Sequence, residues 1–299
     1  VLDIIHDDDH IIIHDDHHIK DGRQEFLGNW RMEMTKAAHK GYALITGASS
    51  GIGAVYADRL ARRGYGLILV ARDVERLEQL AGRLRADPGY AVEVIQADLT
   101  KPAELARVEE ELRRNEKITL LVNNAGVAMS GELIDADPDR LEQMIRLNAI
   151  VPSRLARAVL PGLVARGGGA LINISSVLAL APELFNGAYS GTKAYLLNLT
   201  QKLQQEVGGK GVQVQAVLPG ATRTEIWDRS GGSIDQLPKG ILMDVDEMVD
   251  AALAGFDQGE LVTIPSLPDV EDWKTMTAAR LRLGPNLSRD HAASRYKIQ

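Results

Sequence analysis

The sequence predicts a doubly wound α/β fold, a parallel sheet with helices on both faces, on two observations. From Gly41 onward, short β-branched or leucine-rich runs alternate with longer helical patterns, the signature of βαβ units. The first apolar run, Tyr42-Ala-Leu-Ile45, feeds Thr46-Gly-Ala-Ser-Ser-Gly-Ile-Gly53, and Ala54 onward reads as a helix. A strand that delivers a glycine loop into a helix N-terminus is a phosphate cradle, because unpaired N–H groups and the positive end of the helix dipole face the ligand. Gly47 permits the sharp turn, Gly51 removes a Cβ that would hold a pyrophosphate away, and Gly53 lets the new helix pack closely. Ser49, Ser50 and Ile52 complete the candidate cradle.

The predicted strands are 42–46, 67–71, 91–96, 118–123, 169–174, 212–218 and 260–264. Predicted helices fill about 51–64, 74–86, 102–115, 139–166, 188–208 and 246–257. Parallel connections of this kind are right-handed, and open sheets bind ligands at the carboxyl ends of their strands near the switch point. No internal repeat and no linker divides residues 41–299, so one domain is expected. In its C-terminal extension, 266–299, Trp273, Met276 and Leu281 stand at near-helical spacing. Core packing accounts for them; a small cap or a subunit contact is the alternative.

Residues 1–40 read differently, with six of the seven histidines among Asp and Ile runs. They are expected to be a tag-like leader outside the fold. The rival reading is metal binding: His6, His10 and His14 would line one helical face, with His17 and His18 beyond. For the rest of the chain no metal is expected.

Composition excludes several classes. With 299 residues, 45% hydrophobic and 25% charged, the chain has the material for one large globular domain and is not disordered or fibrous. A formal charge of -7 without a basic stripe argues against nucleic acid as a partner. Having no cysteine, it can use neither thiolate catalysis nor disulfides. No apolar run reaches membrane-span length, so no membrane partner is expected and a cytoplasmic location is the default.

Candidate cofactor contacts sit at predicted strand ends. After the second strand come Ala71-Arg72-Asp73, where dinucleotide folds select their cofactor. Ala71 leaves room and Arg72 offers a planar fork for a phosphate, which favours NADP(H) over NAD(H). The alternative makes Arg72 merely an exposed arginine before a helix cap at Asp73, and gives the ribose to Asp73. After the third strand, Asp98 beside Leu99 can accept from an adenine amino group or cap nearby backbone. The fourth strand runs into Asn123-Asn124-Ala125-Gly126. Asn123 reads as a structural brace, and Asn124, Ala125 and Gly126 as cofactor lining.

Candidate chemistry lies further on. The fifth strand delivers Ser175-Ser176, and Tyr189-Ser-Gly-Thr-Lys193 follows. Four residues apart on a helix, Tyr189 and Lys193 share a face about 6 Å apart along the axis. A phenol is a poor acid or base at neutrality, but an adjacent ammonium favours phenolate and draws its pKa down. Hydride chemistry at a carbonyl needs such a group to give or take the hydroxyl proton, while Ser176 holds the substrate oxygen. Asn148 is a poor helix former inside a good helical sequence. Either it breaks a turn and places a water bridging to Lys193, or the helix tolerates it.

Taken together, Thr46-Gly47-x-x-x-Gly51-Ile-Gly53, Asn123-Asn-Ala-Gly126, Asn148, Ser176, Tyr189-x-x-x-Lys193 and Pro219-Gly220 resemble the short-chain dehydrogenase/reductase family over about residues 41–265. The match is to its short, single-domain branch. The resemblance implies a seven-stranded Rossmann domain and a catalytic tetrad at Asn148, Ser176, Tyr189 and Lys193. It also implies nicotinamide contacts after Pro219 and Gly220, at Thr222 and Thr224, and a homodimer or homotetramer built on the two long helices.

The expected activity is an NADP(H)-dependent interconversion of a carbonyl and an alcohol, with Tyr189 as general acid/base. The rival is a cofactor-binding regulator of the same fold without turnover. The segment 225–243 joins Ile226 and Trp227 to a glycine-containing stretch and reads as a lid. Met129, Val177, Leu178, Leu184 and Phe185 read as apolar walls for a hydrophobic substrate, or else as ordinary core.

Overall fold

The structure, a computed structural model, describes residues 40–87, 89–230, 234 and 237–296. Residues 1–39, with the six histidines of the expected leader, and Gly231 to Ser233, Asp235 and Gln236 of the predicted lid lie outside the described residues. The strands are β1 (Tyr42–Thr46), β2 (Gly66–Ala71), β3 (Val92–Gln96), β4 (Ile118–Asn123), β5 (Gly169–Ile174), β6 (Val212–Val217) and β7 (Val262–Thr263). They form one seven-stranded sheet in the order β3-β2-β1-β4-β5-β6-β7, with every pairing parallel. The order reverses between β1 and β4, which opens a crevice there.

Alternation within the strands builds both faces. Ala43, Ile45, Leu67 and Leu69 point to one core with α1 (Gly51–Arg62), α2 (Val74–Arg85) and α8 (Val245–Asp257). Leu44, Ile68 and Val70 point to the other, with α3 (Pro102–Arg114), α5 (Val151–Ala165) and α6 (Gly187–Val207). Because both faces are covered, β2 is buried at every position and shows no polar alternation. Helix α1 buries Gly53, Tyr56, Ala57, Leu60 and Ala61, the stripe expected of a helix laid on a sheet.

Two predicted elements differ. The long helix expected over 139–166 is three pieces: α4 (Pro138–Ile145), a π turn over Arg146–Ile150, and α5. Asn148 sits in that wider turn, of a kind that recurs at functional positions. The last strand is two residues rather than five, and Pro265, which has no N–H to donate, bars its extension at the C-terminal end. In the C-terminal extension, helix α9 (Val270–Arg282) packs Trp273 against the β6–β7 cluster and leaves Met276 and Leu281 exposed. No helix among the described residues is long and apolar enough to cross a membrane.

Candidate active site

The site begins with backbone. Gly47 turns at φ +66, and a Cβ there would lie 2.8 Å from Asn124 Nδ2 and 2.9 Å from the Ala125 Cα. A Cβ on Gly53 would collide with the Gly47 carbonyl oxygen, so this glycine serves the close packing of loop and helix. Gly51, at φ +53, opens α1, and its N-cap Ser50 makes no side-chain capping bond. The first-turn N–H groups are therefore left for a ligand.

Thr46, which the sequence motif named without giving its side chain a role, locks the crevice. Its Oγ1 accepts from the amides of Asn124 and Ala125, both at 3.0 Å. Asn124 returns the tie, with Nδ2 donating to the carbonyls of Thr46 at 2.8 Å and Gly47 at 3.1 Å. Asn123 braces the sheet, donating to Asn173 Oδ1 at 2.9 Å, while Asn173 donates to Thr200 on α6 at 2.8 Å.

A groove of about 700 Å³ runs along the carboxyl ends of the strands. Arg72, Asp98 and Leu99 line one end; Ser49 to Ile52, Asn124 to Gly126 and Thr224, whose methyl lies 3.2 Å from where a Gly51 Cβ would be, line the middle; Ser176, Tyr189, Lys193, Pro219, Gly220 and Thr222 line the other. Gly47 also reaches its surface, whereas Gly53 and Asn148 stand behind it. An elongated groove with open helix N–H groups at its middle and a cation at one end fits a dinucleotide.

Arg72 is exposed, and among the described residues its guanidinium has no ion pair. Asp73, the alternative ribose ligand, also lines the groove and caps α2 by accepting from the Arg76 amide at 3.0 Å. Asp98 does cap nearby backbone: Oδ1 accepts from the Thr100 amide at 3.0 Å and hydroxyl at 2.7 Å. Burial pushes its carboxyl up, but those bonds and the charges of Arg72 and Lys101 more than reverse this and hold it below the usual range.

At the far end the Ser176 hydroxyl stands near enough to the Tyr189 phenol to favour its ionisation, while its Oγ donates to the Pro219 carbonyl at 3.5 Å. Ser176 Oγ also accepts from the Leu178 amide at 3.1 Å. Lys193 Nζ donates to the Ile174 carbonyl at 2.9 Å and lies 5.6 Å from the Tyr189 ring centre. Phe185 meets that ring edge-on, centroids 5.7 Å apart. Asn148 pins the loop after β4: Oδ1 accepts from the Val127 amide at 3.0 Å, and Nδ2 donates to the Val127 carbonyl at 2.8 Å and to Thr192 Oγ1 at 3.2 Å. A Cβ on Gly126 would fall 3.1 Å from that Oδ1, so the glycine keeps the space between Asn148 and Lys193 clear.

The electrostatics correct one expectation. Burial pushes the Tyr189 phenol up to about 12, and the nearby Ser176 hydroxyl pulls it back only in part. Lys193 is pushed down to about 8 by burial. Burial disfavours phenolate, so the phenol holds its proton at pH 7. The walls need a second correction. Val177, Leu178, Leu184 and Phe185 line the groove, but Met129 is buried against Met144 and Tyr189 instead.

Sequence reasoning missed Asn186. Its Oδ1 accepts from the Tyr189 amide at 3.0 Å and so caps α6 at the catalytic candidate. An Asn three residues ahead of that tyrosine was the available signal.

Comparison with known proteins places this geometry. The family model described as short chain dehydrogenase matches residues 41–233. A short-chain dehydrogenase from Sphingobium yanoikuyae, solved in complex with NADPH, is 51% identical, with a TM-score of 0.84 over 86% of this chain and 100% of that one. The bulky-bulky ketone specific alcohol dehydrogenase from Comamonas testosteroni is 47% identical, with a TM-score of 0.80 over 86% of this chain and 99% of that one. Human 17-beta-hydroxysteroid dehydrogenase type 3 is 34% identical over 61% of this chain and 59% of its own, so this chain spans under two thirds of that relative. On its sheet order, its glycine cradle and these matches, the chain belongs to the short-chain dehydrogenase/reductase family.

Proposed function

We propose that this protein is an NADP(H)-dependent reductase of bulky, uncharged ketones, working in reverse as an alcohol dehydrogenase. One observation carries the reading: the Tyr189 phenol and the Ser176 hydroxyl share the end of the groove where its polar lining gives way to apolar walls. Around it the lining is Val177, Leu178, Leu184, Phe185, Ile226 and Trp227, with Leu184 69% and Ile241 50% exposed at the mouth. Exposed apolar groups of this size rimming a cleft suit a hydrophobic ligand better than a sugar or a carboxylate. The NADPH complex and the ketone specificity of the two relatives described above support both parts of the proposal.

When bound, the cofactor supplies the hydride. The chain's own groups manage the proton. Tyr189 Oη, protonated at neutrality, gives its proton to the carbonyl oxygen as negative charge develops there. Ser176 Oγ holds the same oxygen by hydrogen bond and fixes the carbonyl against the phenol. Lys193 lies beneath the ring, tethered to the Ile174 carbonyl, where its amine can bond a ribose hydroxyl. Asn148 keeps the 124–127 loop, and with it the groove floor, in register. Arg72 is the proposed 2′-phosphate partner, its guanidinium having no competing ion pair among the described residues.

The test is NADPH oxidation against a ketone panel, with NADPH binding followed separately by fluorescence. Turnover that Tyr189→Phe abolishes supports the assignment. NADPH binding with no turnover on any carbonyl would leave the non-catalytic regulator in its place. We also propose self-association through α4 to α6, whose surface carries Ile145, Ile150 and Tyr195, each exposed by 41% or more. Light scattering on the full chain checks it; a monomer rejects it.

A further inference from the structure

The two walls of the substrate end come from distant parts of the chain. One is the loop 127–131 after β4; the other is α7 (Ile226–Ser230). They join at one carbonyl. Ser230 O, at the end of α7, accepts from the Ser130 hydroxyl at 2.7 Å and from the Ser130 amide at 3.3 Å. Ser230 is itself buried, and its hydroxyl turns back to the Trp227 carbonyl at 2.8 Å.

The neighbouring residue carries the connection onward. Gly131 O accepts from Asn186 Nδ2 at 2.7 Å, and the same Asn186 side chain accepts from the Tyr189 amide at 3.0 Å. Gly131 stands at φ +86 with open space where a Cβ would be, so this glycine serves the turn rather than a close contact. An unbroken path therefore links the amide of the catalytic candidate to the far wall: Tyr189, Asn186, Gly131, Ser130, Ser230 and Trp227.

Helix α7 needs such a tie. Five residues make little more than one turn, too short to hold itself by helix propensity. One end is anchored by Trp227, whose indole Nε1 donates to the Thr222 carbonyl at 2.9 Å. Among the described residues, the Ser130 hydroxyl makes the side-chain bond that anchors the other end to the opposite wall.

We propose that Ser130 is a positioning and specificity-determining residue, which seats α7 against the loop held by the cap of the catalytic helix and so sets the width of the substrate cleft. The proposal rests on the reading of this cleft as a ketone site. Bulky substrates need Ile226 and Trp227 held in place; small ones do not.

The experiment compares wild type, Ser130→Ala and Ser130→Thr as full-length, NADPH-loaded protein. Hydrogen–deuterium exchange is read over residues 226–230, and KM and kcat are read for a diaryl ketone and for a small dialkyl ketone. Ser130→Ala is expected to speed exchange in 226–230 roughly fivefold, about the worth of one net hydrogen bond. It should raise KM for the diaryl ketone by a similar factor, leave kcat for both ketones unchanged, and be rescued by Ser130→Thr. Unchanged exchange in Ser130→Ala, or a KM shift that ignores substrate size, overturns the proposal. A wild type that reduces neither ketone defeats the ketone reading alone, and the exchange result then decides the tie by itself.

Discussion

The two ends of the groove are built from different material. The cofactor end is backbone: Gly47, Gly51 and Gly53 shape it, and Thr46 and Asn124 clamp its carbonyls and amides. The chemical end is side chains: a phenol, a hydroxyl and an amine carried by β5 and α6, walled by apolar groups from α7 and the loops after β5. A backbone site fails when atoms are added to it, and a side-chain site fails when atoms are removed. Substitutions can therefore be chosen to break that contrast.

The largest effect is expected from Tyr189→Phe, which removes one oxygen: ketone reduction should fall about 100-fold or more while NADPH binding stays within twofold. Rates equal to wild type would remove the phenol from the mechanism. Next is Lys193, whose buried ammonium titrates at about 8 instead of 10.5. Because the folded pKa is the lower one, the unfolded chain holds more protons between those values, and stability rises with pH across the window. Relative to Lys193→Met, wild type should gain up to about 3 kcal/mol from pH 8 to 10.5 in urea denaturation. Parallel curves for the two proteins would contradict the burial argument.

At the other end, one added methyl is the sensitive change. Gly53→Ala drives a Cβ into the Gly47 carbonyl and is expected to destabilise by about 2 kcal/mol, visible as a fall of several degrees in Tm with weakened NADPH binding. Removing a side chain there should matter less. Arg72→Ala is expected to lower the NADPH over NADH preference about tenfold without changing kcat, since one charge-assisted contact is at stake. An unchanged ratio would assign the 2′-phosphate elsewhere.

The same contrast explains what could be read from the chain. Buried parallel strands must be apolar throughout, and a tight turn under a helix must be glycine, so β1, β2 and the cradle announce themselves in residue type. Tyr189 and Lys193 were legible through helical spacing. Their ionisation was not, because spacing reveals a neighbouring charge while burial depends on the whole fold, and burial decided the sign. Met129 illustrates the same limit: an apolar residue next to a site looks alike in sequence whether it faces ligand or core. Asn148 advertised itself as a poor helix former, but its partner Val127 lies across a loop and a helix, beyond any local pattern.

The wide turn at Arg146–Ile150 has a final consequence for how this region tolerates length changes. Each helical residue advances the chain by about 100° around the axis. A π turn holds one residue more than an α turn over nearly the same rotation, so deleting a single residue there would restore regular winding and leave Leu155, Val159 and Leu163 facing the layer they now fill. A one-residue deletion in this stretch should thus spare the core and strike the site, because it moves the Asn148 amide off the Val127 backbone that it holds.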